Sequence, residues 1–190
     1  MVGSTLTPRI DRRIPQISII AGGLAIAAVG FGLLMQIDAS TSFLFLATRL
    51  VISSLGLAPV FTLTTDLIVG SAPPERARAA SAISETTGEL GGALGIAILG
   101  SIGTTIYRTE LARNIPAGIP LEAEEAALES LGGAVSLVGQ IPGSLRSMLL
   151  DIALGSFIQG LQFTVIIGAA VAAALVFVTL RNVQMDSEQN

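Results

Sequence analysis

The sequence contains no cysteine, no histidine, no tryptophan and no lysine. Without cysteine there is no disulfide, no thiolate nucleophile and no zinc–thiolate site. Without histidine there is no Ser-His-Asp triad and no imidazole ligand for a metal. No pair of a nucleophile and a base is evident among the remaining residues. We therefore expect a protein that is not an enzyme, and that has no metal site and no cofactor.

Charge is also scarce, because only 13% of the residues are charged, whereas soluble domains average about a quarter. The net charge is -4, and the ten cations are all arginines scattered along the chain, so no basic patch predicts a nucleic-acid partner. Hydrophobic residues make up 51% of the chain, and the mean hydropathy is +0.76. This composition is typical of a membrane protein, with membrane lipid as its surroundings.

Four apolar segments are each long enough to cross a bilayer, whose hydrocarbon core of about 30 Å needs roughly 20 residues of helix. We predict an all-α, polytopic membrane protein with four transmembrane helices. A signal peptide is the alternative for the first segment, but its 21 uncharged residues exceed an h-region of about 7–15 residues. The four segments are Ile17–Ile37, Phe43–Val69, Ala79–Tyr107 and Ile152–Leu180.

The arginines predict the orientation of these helices. Six of them lie before the first segment, in the 70–79 loop or after the last segment. Three others lie in the long connection before the last helix. The positive-inside rule then places both termini in the cytoplasm. The predicted organisation is a cytoplasmic link (1–16), three transmembrane helices (17–107), an extracytoplasmic acidic loop (108–147), a fourth transmembrane helix (148–181) and a cytoplasmic tail (182–190).

The long acidic loop has helical periodicity in "PLEAEEAALESLGGAVSLV", with Pro120 near its start and a break at Gly133. We expect a short amphipathic helix or a helical hairpin there. The alternative is a solvated acidic face with no specific role.

Two acids, Glu85 and Glu89, lie inside the third apolar segment, in "SETTGELGGALG". Their spacing of four residues puts them on one helix face, about 9–15 Å from the cytoplasmic edge. Two acids this close repel each other, which favours proton uptake by one of them. Acids at this depth are functional by default, so we predict a site for a proton or an organic cation. The alternative is that they line a cytoplasmic vestibule or pair with an arginine.

Three further charges lie in or near the spans. Arg49 either balances an acid on a neighbouring helix or extends towards the outer surface. Asp66 and Asp151 are interpreted as acids at helix ends in contact with water, with a secondary role in the same site as the alternative. The third segment also has small residues at helical spacing, which predicts close packing against another helix. These helix-packing positions are Gly88, Gly91, Gly92 and Gly95.

The stretch "GSAPPERARAASAISETTGELGGALGIAILGSI" resembles the C-terminal part of the fourteen-helix drug:proton antiporters of the major facilitator superfamily, of the multidrug and methyl viologen resistance type. In that family an "APPE-R" loop leads into the penultimate helix, which begins with a Ser-Glu-Thr segment and continues into glycines. "PRIDRRIP" is similar to the cytoplasmic link before the eleventh helix. The resemblance covers 9–181 and implies that the four segments are the last four helices.

The resemblance implies a cell-membrane exporter of lipophilic or quaternary cations, driven by a proton gradient, with Glu85 and Glu89 matching the acidic part of the penultimate helix. The sequence departs from the family in one large respect, because about ten helices are missing, including the N-terminal half. A cavity between two bundles cannot form from one half-bundle. We therefore expect a fragment that needs the missing half or another membrane chain. The alternatives are a four-helix homodimeric exporter and a non-transporting membrane subunit.

Overall fold

The computed structural model describes residues 15–38 and 41–188, with side chains described up to residue 181. In this part of the chain every regular element is a helix, and four helices are long and apolar enough to cross a membrane. The predicted all-α architecture with four candidate membrane helices is therefore confirmed. The helices are α1 (Gln16–Leu34), α2 (Phe43–Gly70), α3 (Ala77–Asn114), α4 (Leu121–Glu129), α5 (Leu131–Leu137) and α6 (Gly143–Glu188), with a 3-10 turn (Pro74–Arg76) before α3 and another (Val138–Gln140) after α5.

The helices do not end where the apolar segments end. α1 stops at Leu34, three residues before the predicted boundary, whereas α3 continues past Tyr107 to Asn114. α6 begins at Gly143, before the predicted start of the fourth span. Hydropathy marks only the part of a helix that suits lipid, while backbone hydrogen bonding continues into polar sequence. The predicted cytoplasmic link (1–16) lies almost wholly outside the described residues.

The described chain divides into two compact units, the first made of residues 15–35, 42–94 and 165–188. In this unit α1 and α2 run antiparallel in close contact, and glycines make the contact possible. A Cβ built on Gly23 would lie 2.6 Å from the Gly56 carbonyl oxygen, and one built on Gly56 would lie 2.5 Å from the Ala27 backbone nitrogen. The two backbones therefore approach more closely than any side chain would allow.

Apolar burial in this first unit is small. Ile20, Leu24 and Leu63 are its buried cluster, with Val60 and Val176 packed against it. In the most hydrophobic stretch of the α3 span, and in that of the α6 span, only 6% of the residues are buried. Contiguous exposed apolar surface of this extent is typical of a surface that contacts lipid or another protein chain.

The second unit consists of residues 36–38, 41 and 95–164, and it contains the C-terminal half of α3, the hairpin α4–α5 and the N-terminal half of α6. α3 and α6 touch at another glycine pair, where a Cβ on Gly160 would lie 2.6 Å from the Gly103 carbonyl oxygen. Gln162 Nε2 donates to the Ile37 carbonyl oxygen at 2.8 Å. The buried core of this unit is formed by Tyr107, Leu111, Ala123, Ala127, Ala134, Ile141, Leu149 and Ala153.

The predicted helical loop is a packed hairpin attached to α3. The Tyr107 hydroxyl donates to the Ala127 carbonyl oxygen at 2.6 Å, and Arg108 Nε donates to the Leu128 carbonyl oxygen at 3.2 Å. These bonds satisfy carbonyl groups in the last turn of α4, which have no partner within the helix. Ser130 caps α5 by accepting a hydrogen bond from the Gly133 backbone nitrogen at 3.0 Å. Buried alanines and these bonds therefore give the hairpin a fixed position.

Candidate functional site

Glu85 and Glu89 lie on one uninterrupted stretch of α3, so the helix places both carboxylates on the same face, about 6 Å apart along the axis. Both side chains are exposed within this chain. Among the described residues no hydrogen bond or ion pair is recorded for either carboxylate. The pair is therefore open to a ligand or to groups that lie outside the described chain.

The acids share their face of α3 with small residues, because Ser81 lies one turn before Glu85 and Gly92 lies three residues after Glu89. The exposed apolar side chains of Ile83, Leu90 and Leu94 lie on the opposite side of the same stretch. Four hydroxyl side chains lie beside the acids, those of Ser81, Ser84, Thr86 and Thr87. The Thr86 hydroxyl donates to the Ala82 carbonyl oxygen at 2.8 Å and is thereby satisfied within the helix. A carboxylate pair would attract a proton or a cation strongly once water is excluded from this face, because electrostatic interactions strengthen as the local dielectric falls.

The predicted helix-packing glycines have no partner within the described part of this chain. A Cβ on Gly88, Gly91, Gly92 or Gly95 would meet nothing within 4 Å. Close packing of this face therefore stays a prediction, and it requires a helix that is not among those described. The glycine contacts that do form, at Gly23, Gly56, Gly103 and Gly160, were not recognised from the sequence. The signal was present, since Gly23 and Gly30 are seven residues apart on one face of α1.

Of the three secondary charges, Arg49 and Asp66 belong to the first unit and Asp151 to the second. Arg49 is half-buried, and its Nη1 is enclosed without a hydrogen-bond partner in the described structure. Asp66 lies on the same helix about 26 Å further along the axis, so the two cannot pair. Asp66 and Asp151 are both exposed. Their roles remain predictions, as does the role of Arg49.

One polar cluster was missed at the sequence level. The only ion pair recorded among the described residues joins Arg113 Nη1 to Glu110 Oε1 at 3.0 Å, in the last turns of α3. Glu110 also lines a cleft together with Asn114, Ser156 and Gln159. The available signal was weak: an acid and an amide four residues apart on α3, and a hydroxyl and an amide three residues apart on α6.

Comparison with known proteins shows the relatives of this chain. It is 34% identical over 184 residues to the multidrug efflux pump LfrA of Mycolicibacterium smegmatis, in an alignment that covers 95% of this chain and 36% of the pump. The chain is homologous to multidrug efflux proteins. Similarity extends to the tetracenomycin C resistance and export protein of Streptomyces glaucescens, at 34% identity over 93% of this chain and 34% of that protein. It also extends to the methyl viologen resistance protein SmvA of Salmonella typhimurium, at 30% identity over 83% of this chain and 30% of that protein.

The relationship inferred from the "APPER" and "SETTGELGG" stretches is therefore confirmed, and the relatives are transporters rather than enzymes. The chain spans about a third of the length of the curated relatives it matches. No family profile matches the chain, and no solved structure is significantly similar to it.

Proposed function

We propose that this chain is the C-terminal part of a proton-coupled multidrug efflux transporter that exports lipophilic or quaternary cations. The observation that carries the proposal is similarity to drug efflux proteins over nearly the whole chain, combined with two acids on one face of a membrane-length helix. In this proposal Glu89, with Glu85 as its partner, binds the proton or the cationic drug. The cell membrane is its location.

The missing part of the transporter is the partner that this proposal requires. The chain corresponds to about a third of its relatives. No described residue packs on the glycines at 88, 91, 92 and 95 of α3. A half-transporter that completes a cavity between two bundles would cover such a face. Proton coupling needs no cofactor, because the proton gradient supplies the energy.

The test is efflux of a fluorescent lipophilic cation from cells. One set of cells expresses the 190-residue chain alone, and a second set expresses it joined to the N-terminal two-thirds of a homologous pump. We expect energy-dependent efflux only from the joined protein. Efflux by the chain alone, abolished when a proton uncoupler is added, would instead establish the homodimeric exporter. Membrane insertion without efflux in either case would favour a non-transporting subunit.

The proposed topology places both termini and the 70–79 loop in the cytoplasm and the α4–α5 hairpin outside. It rests on the positive-inside rule, because six arginines lie on the first side and three on the second. Because the chain lacks cysteine, single cysteines can report on it without background. We expect Glu122→Cys, on the exposed face of the hairpin, to react with an impermeant thiol reagent added to intact cells. Arg78→Cys, which is equally exposed in the structure, should react only after the cells are lysed. Labelling of position 78 in intact cells would reverse the topology.

A further inference from the structure

The structure contains a polar cleft that has no part in the proposed function of Glu85 and Glu89. It lies between the last turns of α3 and the N-terminal half of α6, has a volume of about 290 Å³, and belongs wholly to the second unit. This volume is at the lower limit of small-molecule sites, which measure about 300–1,000 Å³. It suits a small head group and not a whole drug molecule. The lining residues are Glu110, Asn114, Ile152, Gly155, Ser156 and Gln159.

The polar groups of the cleft are hydrogen-bond acceptors with unused capacity. Glu110 contacts Arg113 through Oε1, while no partner of Oε2 is recorded among the described residues. The Asn114 side-chain nitrogen donates to the Glu110 backbone oxygen at 2.7 Å, which leaves its carbonyl oxygen as an acceptor. Arg113 is 67% exposed, so its guanidinium can turn into solvent without losing buried contacts. An incoming cation can then take its place at the carboxylate.

Ser156 gives independent support for a ligand. Its side chain is only 5% exposed, it lines the cleft, and its hydroxyl has no hydrogen bond recorded within the described structure. Serines inside helices normally donate to the carbonyl one turn earlier, as Ser53 and Ser101 do here at 3.0 Å and 2.6 Å. Because Ser156 lines the cleft and its oxygen is not enclosed, the hydroxyl can accept a hydrogen bond from a group that enters the cleft. A Cβ built on the adjacent Gly155 would meet nothing within 4 Å, so there is open space beside Ser156.

The walls of the cleft are held in place by the core of the second unit. Leu111 on α3 and both Leu149 and Ala153 on α6 are completely buried, and they lie within one or two turns of the polar residues. The helices therefore do not need to rearrange to bind, which lowers the entropic cost of association.

We propose that this cleft binds a primary ammonium group. Such a group carries three N–H donors, which match a carboxylate, an amide oxygen and a serine hydroxyl. None of the six lining residues is aromatic, whereas quaternary ammonium groups are typically held by aromatic cages. Ile152 and Gly155 offer an apolar wall for the attached methylene groups. The ligand is therefore chemically distinct from the quaternary cations of the proposed function, and this inference does not depend on that function.

The test uses the 190-residue chain in phosphatidylcholine nanodiscs, with empty nanodiscs as the blank. Butylammonium binding is measured by ligand-observed NMR and compared with butyltrimethylammonium, which has no N–H donor. We expect the primary amine to bind at least tenfold more tightly. Glu110→Gln should weaken its binding by about tenfold or more, because a charge-assisted hydrogen bond is lost. Glu122→Gln, an exposed acid outside the cleft, is the matched control and should bind as the parent does.

A second experiment with lipids distinguishes two sources of the ammonium group, a free amine and the head group of a membrane lipid. The chain is reconstituted with equal amounts of phosphatidylethanolamine and phosphatidylcholine, and lipids retained after detergent washing are identified by native mass spectrometry. If phosphatidylethanolamine is retained selectively by the parent and not by Glu110→Gln, the ligand is the lipid head group. If phosphatidylethanolamine is not retained selectively while butylammonium still binds, the ligand is a free amine. If Glu110→Gln unfolds, Ser156→Ala replaces it. Equal binding of the primary and trimethylated amines, or equal binding by folded variants and parent, would overturn the proposal.

Discussion

Gly23→Ala is expected to destabilise the α1–α2 pair by about 1–3 kcal/mol, the usual cost of inserting a methyl group into a packed interface. The added Cβ would lie 2.6 Å from the Gly56 carbonyl oxygen, 3.0 Å from Val60 Cγ2 and 3.2 Å from Pro59 Cγ. A backbone oxygen and a proline ring cannot turn aside, so the helices must separate. The measurement is the midpoint of thermal unfolding of the purified chain in detergent, followed by circular dichroism.

Gly22→Ala is the matched control for this variant. Gly22 is the adjacent residue on α1, and a Cβ there would meet nothing within 4 Å. Because alanine favours helix over glycine by about 1 kcal/mol, we expect this variant to be as stable as the parent or more stable. Opposite signs for neighbouring glycines would show that contact with α2, and not helix propensity, decides the outcome. Equal midpoints for the two variants would contradict the described packing of α1 on α2.

Glu89→Gln in a full-length transporter that carries this segment is expected to abolish or shift the pH dependence of efflux for at least some cations. The Glu89 carboxylate is exposed on the face of α3 that also carries Gly92, and no partner is recorded for it in the described chain. In the proposed mechanism a cationic drug and protons compete for this carboxylate, so drug binding by the parent is expected to weaken as pH falls. Removing the charge should lower drug affinity by about tenfold to a hundredfold, the value of a charge-assisted hydrogen bond.

Glu85→Gln should have a smaller effect than Glu89→Gln, because Glu85 is one turn nearer to the predicted cytoplasmic surface. Glu75→Gln is the control, since Glu75 is an exposed acid in the 3-10 turn before α3 and outside the membrane-length helix. The readout is initial efflux rate of a fluorescent cation across a series of external pH values. If the double variant of Glu85 and Glu89 keeps the rate and the pH profile of the parent, the proton site lies elsewhere in the transporter.

The sequence by itself determined the class of the protein and most of its helical content. Long uncharged runs must satisfy their backbone hydrogen bonds internally in lipid, which only a helix or a closed barrel achieves. The same runs locate Glu85 and Glu89 on one face of α3, because the period of the helix fixes which residues share a side. The "APPER" and "SETTGELGG" stretches indicated the relatives of the chain. Each is a short run of consecutive residues, so it can be recognised without knowing how the chain folds.

Only the tertiary structure decided which glycines make contacts. By spacing alone, the glycines at 88–95 and those of α1 and α2 look equivalent, yet Gly23 and Gly56 touch a neighbouring backbone and Gly88 to Gly95 do not. Helix association in lipid depends on close fit between two surfaces, and a single sequence segment describes only one of them. The docking of the hairpin through Tyr107 and the cleft at Glu110 likewise join residues of separate elements. Spacing within one helix sets the direction of a side chain, but what that side chain meets depends on how distant segments pack.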